Sequence, residues 1–501
     1  MKDDQRPVLV GVAQSCLRDA EPASAPDPVR LLEAVARAAA EDSGAGGRAL
    51  RELDTLGIVE VAAWRPKSGP RLLAEKLGVT PRHEILTATG GEIPITLVNE
   101  LARRIAAGKA RVALVAGANA IRTFRRARRA GVKLAWPAGD GAEATLFGDH
   151  RPGSSPLEME YGLSMPPDIY PIFENALRAR RGLDRETHRR RMGELMSRFT
   201  QVAAKNPYAW FPVARSADEL TLPAPNNRMI AYPYTKYLNA VIETDQAAAV
   251  LLMSAGAARE LGVPEHRWLH WWGGAHTEEE AWFPSERPDF AACPALRDAA
   301  IAALAEAGVA LEEIDCFDFY SCFPVAVEMA CEMLGLDEND PRGLTVTGGL
   351  PYAGGPGSNY TLHSLAAMTE RLRSRPGAKG MLTGNGWYLT RHSASVWSTL
   401  PREKSGAPPA EPSDAERARR RPLAPAKEAR GAGTVEAFTV LFDREGQPAR
   451  GIVLGRTQSG DRFLANTPDD RTSLEAFLAS GDVGSVGKLS SHDGHNRFEP
   501  A

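Results

Sequence analysis

Apolar positions switch repeatedly between a strand period and a helix period over residues 6–400, and the switching predicts alternating β and α elements. Val8-Leu9-Val10-Gly11-Val12 is a continuous apolar run of strand length, as expected for a strand covered on both faces. Asp27-Pro28 supplies a cap and a first-turn proline for a helix over 29–42, with Leu31, Leu32, Val35 and Ala39 on one face. Residues 54–63 and Ile85-Leu86-Thr87 read as the next strands. A helix opened by Pro94 then brings Leu97, Leu101 and Ile105 together, and the apolar run 110–119 follows it as a strand. The pattern resumes at 244–253, then gives a helix over 296–307, a strand over 314–320 and a helix over 325–334. Leu362, Leu365, Met368 and Leu372 form one further helical stripe. Strands alternating with helices predict an α/β sheet covered on both sides.

Two stretches break the pattern. Residues 122–228 are richer in Arg, Pro and aromatics, with one helical run near 184–204. An insertion of that length predicts a lid or subdomain over the site. Residues 401–433 are dense in Pro, Ala, Arg and Glu, a linker composition. Beyond them the pattern is all-β: 434–442, a turn at Asp443-Arg444-Glu445-Gly446, 451–455, 462–465, a short helix over 473–479 and a strand near 485–489. Five short elements with glycine turns predict a small barrel of the oligonucleotide/oligosaccharide-binding (OB) type over 434–501. The expected units are thus 6–265, 266–400, the linker and the barrel.

Composition narrows the chemistry. A net charge of −3 with both signs interspersed leaves no basic footprint for nucleic acid. The five cysteines (Cys16, Cys293, Cys316, Cys322 and Cys331) include no C-x-x-C pair and no metal-ligand spacing. They predict free thiols in a reducing compartment and no metal site. No apolar run approaches the roughly 18–20 residues of a membrane span, and no signal peptide is read at Met1-Lys2-Asp3. The expectation is a cytoplasmic protein.

One element is written twice. Thr87-Ala88-Thr89-Gly90-Gly91-Glu92 opens one amphipathic helix, and Thr345-Val346-Thr347-Gly348-Gly349 precedes another glycine-rich loop, a helix and a strand ending in Gly384-Asn385-Gly386. Two such halves aim backbone N–H groups at a shared pocket. With Asp315-Cys316-Phe317-Asp318-Phe319-Tyr320-Ser321-Cys322-Phe323, this duplication resembles the thiolase superfamily. The similarity covers residues 6–400, nearest to the sterol-carrier-protein thiolases and their thiolase-like relatives, often labelled acetyl-CoA acetyltransferases. It implies a five-layered αβαβα core, handling of acyl-CoA or CoA as substrate, and no separate cofactor. It also leaves room for a homodimer paired through 85–89.

The same resemblance implies a nucleophilic Cys, a Gly-His-Pro histidine and a second Cys, and this chain departs from all three. Gly91 and Glu92 stand in the nucleophile loop, Gly355 stands where the histidine belongs in Gly354-Gly355-Pro356, and Thr383 takes the second cysteine's place beside Asn385. The branch's His-Asp-Cys-Phe becomes Tyr320-Ser321-Cys322-Phe323. Gly90, Gly91, Ser321, Gly354, Gly355, Thr383 and Asn385 are the expected substrate-binding positions. Tyr320 is the leading catalytic candidate, set against a packing role for its ring. Glu92, favoured at a helix N-terminus whatever its function, and His363 and His392, which otherwise serve as hydrogen-bonding residues, are weaker candidates. Cys322 reads as a packing residue. The runs Arg125-Arg126-Ala127-Arg128-Arg129 and His188-Arg189-Arg190-Arg191 suit CoA phosphates or a salt-bridged surface. Three functions follow: an acyl-CoA-binding acyltransferase homologue without cysteine thiolysis, a Tyr-dependent retro-aldol lyase with a built-in OB module, or a non-enzymatic acyl-CoA scaffold.

Overall fold

The protein is described by a computed structural model covering residues 3–66, 68–139, 143–403, 406, 407, 409 and 411–501. Parts of the predicted insertion (140–142) and linker (404, 405, 408, 410) lie outside the described residues. The first half carries β1 (Pro7–Cys16), β2 (Thr55–Ile58), β3 (His83–Thr87), β4 (Val112–Ala120) and β5 (Asp245–Ser254); the second carries β6 (Leu269–Glu278), β7 (Cys316–Asp318), β8 (Lys379–Gly386) and β9 (Arg391–Ser398). The main helices are α1 (Pro28–Asp42), α2 (Ile93–Ala106), α3 (Pro166–Arg180), α4 (Arg185–Ala203), α5 (Pro294–Ala307), α6 (Pro324–Leu334), α7 (Tyr360–Arg373), α8 (Asp414–Arg420) and α9 (Arg471–Ser480). Local signals explain several boundaries. Asp27 accepts from the Arg30 N–H at 3.0 Å to start α1, and Asp184 accepts from the Thr187 N–H at 2.8 Å to start α4.

Strand order establishes the duplication. The run β2-β4-β5-β1 is matched by β7-β8-β9-β6. The first pair of each run is parallel and the remaining neighbours are antiparallel. The halves join through β1 and β6, with Val8 opposite His270 and Leu9 opposite Leu269. Burial defines the layers. One cluster puts α1 against the outer face of the first half. A second encloses the apolar stripes of α2 and α7 between the two halves, from Leu97, Leu101 and Ile105 to Leu362, Leu365 and Met368. A third covers the outer face of the second half with α5 and α6. This is the five-layered thiolase-like arrangement. It faces the N-termini of α2 and α7 toward one another.

The insertion is not a loose flap. Ile169 and Phe173 of α3 and Met192 and Phe199 of α4 share the third core with α5 and α6. A short strand of the insertion, Thr145–Phe147, pairs parallel with β3, and the Ala88 N–H bonds the Phe147 carbonyl at 2.8 Å. The sheet edge expected to join two subunits is therefore occupied by the chain itself.

The C-terminal unit is a closed five-stranded barrel of β10 (Gly431–Phe442), β11 (Pro448–Thr457), β12 (Arg462–Asn466), β13 (Val486–His492) and β14 (His495–Pro500). Its order is β10-β11-β12-β14-β13, closed by β13 on β10, with α9 between β12 and β13. Phe438, Phe463, Phe477 and Phe498 fill its interior. Ala437, Ile452, Leu454 and Leu464 pack into the third core of the main body. The segment read as a tether is held down as well: Arg420 of α8 binds Asp298 at 2.5 Å, Glu416 binds Arg297, and the Leu423 N–H bonds the Glu286 carbonyl at 2.9 Å. Among the described residues no helix is long and apolar enough to cross a membrane.

Candidate functional site

Gly91 sits just before α2 and faces the end of β7. A Cβ placed on residue 91 would collide with the Tyr320 hydroxyl and lie 2.6 Å from the Asn385 carbonyl oxygen. Neither a cysteine nor an alanine fits there unless the surroundings move. Tyr320 is fixed by its backbone N–H, which donates to the Thr383 hydroxyl of β8 at 3.0 Å, and by an edge-on contact with Tyr360 at 5.4 Å. Thr383 therefore anchors the tyrosine. Among the described residues the Tyr320 hydroxyl has no hydrogen-bond partner. Burial, reinforced by the neighbouring Cys322 and Glu92, raises its pKa well above that of an ordinary phenol, so it stays protonated and is a hydrogen-bond donor.

Behind Tyr320 lies a network the sequence did not reveal. The Tyr360 hydroxyl donates to Asp318 at 3.0 Å, and Asp318 also accepts from the Thr345 hydroxyl and the Val346 N–H, each at 2.8 Å. This holds the second glycine loop against β7. Asn385 donates its amide to the hydroxyl of Tyr170, on α3, at 2.9 Å, and lies 3.9 Å from the Cys322 sulfur. Tyr170 stacks on Phe323 at 4.3 Å, tying the lid to the site. Burial pushes the Cys322 thiol up to about 12, and a thiol held neutral is a poor nucleophile. Ser321 is fully buried, its hydroxyl close against Gly349. Gly354 leaves space taken up by Gln246, and a Cβ on Gly355 would lie 3.3 Å from the Val241 carbonyl and 3.5 Å from Leu350.

The weaker candidates serve elsewhere. Glu92 is fully buried, with Oε1 3.0 Å from Nε of Arg391. Burial raises it to about 7 against the opposing pull of Arg391. Arg391 also donates to the Asp149 carbonyl at 2.9 Å and to that of Thr89, bracing the loop ahead of Gly91. His363 bonds Gln14 through Nδ1 at 3.0 Å, and burial lowers its pKa to about 3. His392 lies 3.1 Å from the Cys293 sulfur. That thiol–imidazole pair faces the α5 side of β9, whereas Arg391, Ser393 and Ser395 face α2. Burial lowers the His392 pKa to about 3 and raises Cys293 well above an ordinary thiol. The pair is neutral and turned away from Gly91. The arginine runs are largely consumed in ion pairs: Arg125 and Arg129 with Glu243, Arg126 with Glu21, Arg189 with Glu186 and Asp218, and Arg191 with Glu338.

Fold and loop pair together define a thiolase-superfamily protein in which the Tyr320 hydroxyl and the Asn385 carbonyl close over Gly91. Across its whole length, covering 100% of both chains, the sequence is 32% identical to a monomeric SCP2-thiolase-like protein type 1 from Mycobacterium smegmatis, with a TM-score of 0.83. Residues 418–494 match the thiolase-like protein type 1 additional C-terminal domain. The chain belongs to the SCP2-thiolase-like protein type 1 family. Its fold is also similar to an acetyl-CoA acetyltransferase from Syntrophomonas wolfei, at 17% identity over 79% of this chain and 99% of that one, with a TM-score of 0.55. The Ltp2-ChsH2(DUF35) aldolase is similar at 17% identity over 79% and 98%, with a TM-score of 0.58. No curated protein matches the chain.

Proposed function

We propose that the chain binds an acyl-coenzyme A thioester between its two glycine loops and does not perform cysteine-dependent thiolysis. The observation that carries this reading is the filling of the space at Gly91 by the Tyr320 hydroxyl and the Asn385 carbonyl. In this reading Gly90, Gly91, Gly354 and Gly355 present backbone to the thioester, with Ser321, Thr383 and Asn385 around it. Tyr320, held neutral by burial, donates its hydroxyl to the thioester oxygen. The capped edge of β3 favours a monomer, in keeping with a relative described as monomeric.

A retro-aldol lyase is the second reading. It is favoured by the unpaired Tyr320 hydroxyl and by Glu92, which titrates at about 7 close enough to influence Tyr320. Because the phenol is held protonated, the β-hydroxyl proton would have to go to another base.

Thermal shift with CoA and acetyl-CoA tests binding, since a ligand of the native state alone must raise stability. The expected result is a concentration-dependent rise without thiolysis of acetoacetyl-CoA. No rise with any CoA compound, or ready thiolysis, would overturn the proposal. Mass-spectrometric release of a carbonyl product and a shortened acyl-CoA from a β-hydroxyacyl-CoA, lost in Tyr320→Phe, would establish the lyase instead.

A further inference from the structure

A cleft of about 560 Å³ opens between the end of α4, the start of the second glycine loop and the C-terminal turns of α7. Its charged lining is lopsided: Arg198, Lys205, Arg342 and Arg371 stand against the single carboxylate of Glu370. Arg342 is spent on structure. It pairs with Asp340 at 2.7 Å and donates to the carbonyls of Leu311 and Ile314 at 2.8 and 3.1 Å. The other three cations have no carboxylate partner among the described residues. Arg198 is half-buried and aimed by one bond, from Nη2 to the Glu338 carbonyl at 2.9 Å; the Glu338 carboxylate is taken by Arg181 and Arg191. Lys205 and Arg371 are exposed, and their charged groups make no hydrogen bond or ion pair among the described residues. Elsewhere the arginine runs are largely met by carboxylates, as where Arg125 and Arg129 share Glu243.

Three uncompensated cations around one concavity raise its positive potential, and the protein walls focus that field on whatever enters. Arginine and lysine in such a place suit phosphate oxygens. The cleft is larger than one phosphate needs and lies in the size range of sites for small molecules and cofactors. Val202, Pro207 and Val346 supply it with an apolar wall. The polar lining is only partly committed: Thr345 is held by Asp318 and Asn206 by the Thr347 carbonyl, but Gln14, whose Oε1 accepts from His363, keeps its amide N–H groups free, and Gln201 has no side-chain partner among the described residues. We propose that this cleft is a second ligand site, for a nucleotide pyrophosphate. Arg198, Lys205 and Arg371 hold the phosphates, and base and ribose lie on the apolar wall. The amides of Gln14 and Gln201 and the Glu370 carboxylate serve the ligand's hydrogen-bonding groups. The proposal does not depend on thioester chemistry at Tyr320.

Calorimetric titration of the full chain with ADP at low salt tests it, with adenosine and inorganic pyrophosphate as probes lacking the charge or the nucleoside. ADP is expected to bind saturably at one equivalent, about tenfold more tightly than either probe, and to weaken as salt is raised. Lys205→Glu and Arg371→Gln change exposed side chains on two separate elements, so either can decide the matter should the other not fold. Lys205→Glu is expected to abolish ADP binding and Arg371→Gln to weaken it about tenfold, while Arg129→Gln, a paired arginine outside the cleft, leaves it unchanged. Titration with CoA tells the source of the nucleotide. Loss of CoA affinity in Lys205→Glu assigns the cleft to the ADP end of the thioester, and unchanged CoA affinity beside lost ADP binding assigns it to a free nucleotide. The proposal is overturned if ADP does not saturate the native chain, if adenosine binds equally well, if Lys205→Glu or Arg371→Gln folds and retains native affinity, or if Arg129→Gln weakens ADP as much as they do.

Discussion

Gly91→Ala puts the reading of the site to its most direct test. The added Cβ would fall about 0.8 Å inside the 3.4 Å at which ordinary contact begins with the Asn385 carbonyl, and it would also strike the Tyr320 ring and hydroxyl. The carbonyl belongs to β8 and is held by pairing with β9 at His392, so it has little freedom to retreat. Overpacking of this kind costs about 1–3 kcal/mol. With a urea dependence of about 3 kcal/mol per molar, the unfolding midpoint should drop by roughly 0.3–1 M. A double-mutant cycle isolates the tyrosine's share. Tyr320→Ala alone should cost about 3–5 kcal/mol as a buried aromatic truncation, and Gly91→Ala added to it should cost less than in the native chain. Tryptophan fluorescence during urea unfolding reads both. If Gly91→Ala is as stable as the native chain, or its cost is unchanged without Tyr320, the tyrosine does not fill the space at Gly91 and the account of the site fails.

Three further outcomes follow from the same coordinates. Glu92 has its folded pKa raised from 4.5 to about 7, so its contribution to stability is fully present below pH 4.5 and is lost as pH rises through 7. Urea unfolding at pH 5 and pH 8 should show a fall on the order of 2–3 kcal/mol in the native chain that is absent in Glu92→Gln; equal slopes would refute the buried carboxylate. At pH 8, DTNB should find no fast-reacting thiol in the folded chain, because burial raises Cys16 and Cys316 to about 11 and Cys322 to about 12, and all five thiols on unfolding. A stoichiometric burst from the native protein would count against the neutral-thiol reading. Deletion of residues 431–501 uncovers the core surface packed by Ala437, Ile452, Leu454 and Leu464, so the truncated chain should elute as aggregate in size-exclusion chromatography; a well-behaved soluble core would show the barrel to be a separable module.

The sequence was most legible where apolar periodicity ran unbroken. Four of the five first-half strands, both central helices and four of the barrel strands stand close to their predicted spans, whereas the strand expected over 54–63 is confined to Thr55–Ile58. It was least legible where buried positions are polar. In β9 the residues Arg391, His392, Ser393 and Ser395 are all buried, each satisfied by a partner across the fold rather than by water, so the run carries no strand period. β6 escaped as well, its apolar run interrupted by Gly273-Gly274, and in α3 a proline pair at the first turn and Pro171 inside the helix masked the periodicity. The segment predicted as strand over 314–320 is paired only at Cys316–Asp318, after which the chain turns to present Tyr320. Among site residues, the absence of cysteine and histidine from the two loops could be read from the chain. What took their place could not, because Arg391 lies about 300 residues from Glu92 and Tyr170 belongs to the unpredicted lid helix.

The placement of Asp318 and Arg391 explains how the two loops keep their geometry without the usual catalytic groups. A thiolase-type site needs its nucleophile and base to hold each other in position. The two glycine loops of this chain, 87–92 and 345–356, hold no Cys or His, and each is braced from behind instead. Asp318, through Thr345, the Val346 N–H and Tyr360, fixes the second-half loop, while Arg391, through Glu92 and the carbonyls of Thr89 and Asp149, fixes the first. Both braces are fully buried. Loop geometry in this protein is therefore a property of the scaffold. Replacing a group at the surface of the site, such as the Tyr320 hydroxyl, should alter what is bound or turned over far more than the shape of the loops, whereas loss of Asp318 or Arg391 should loosen the loops before any ligand arrives.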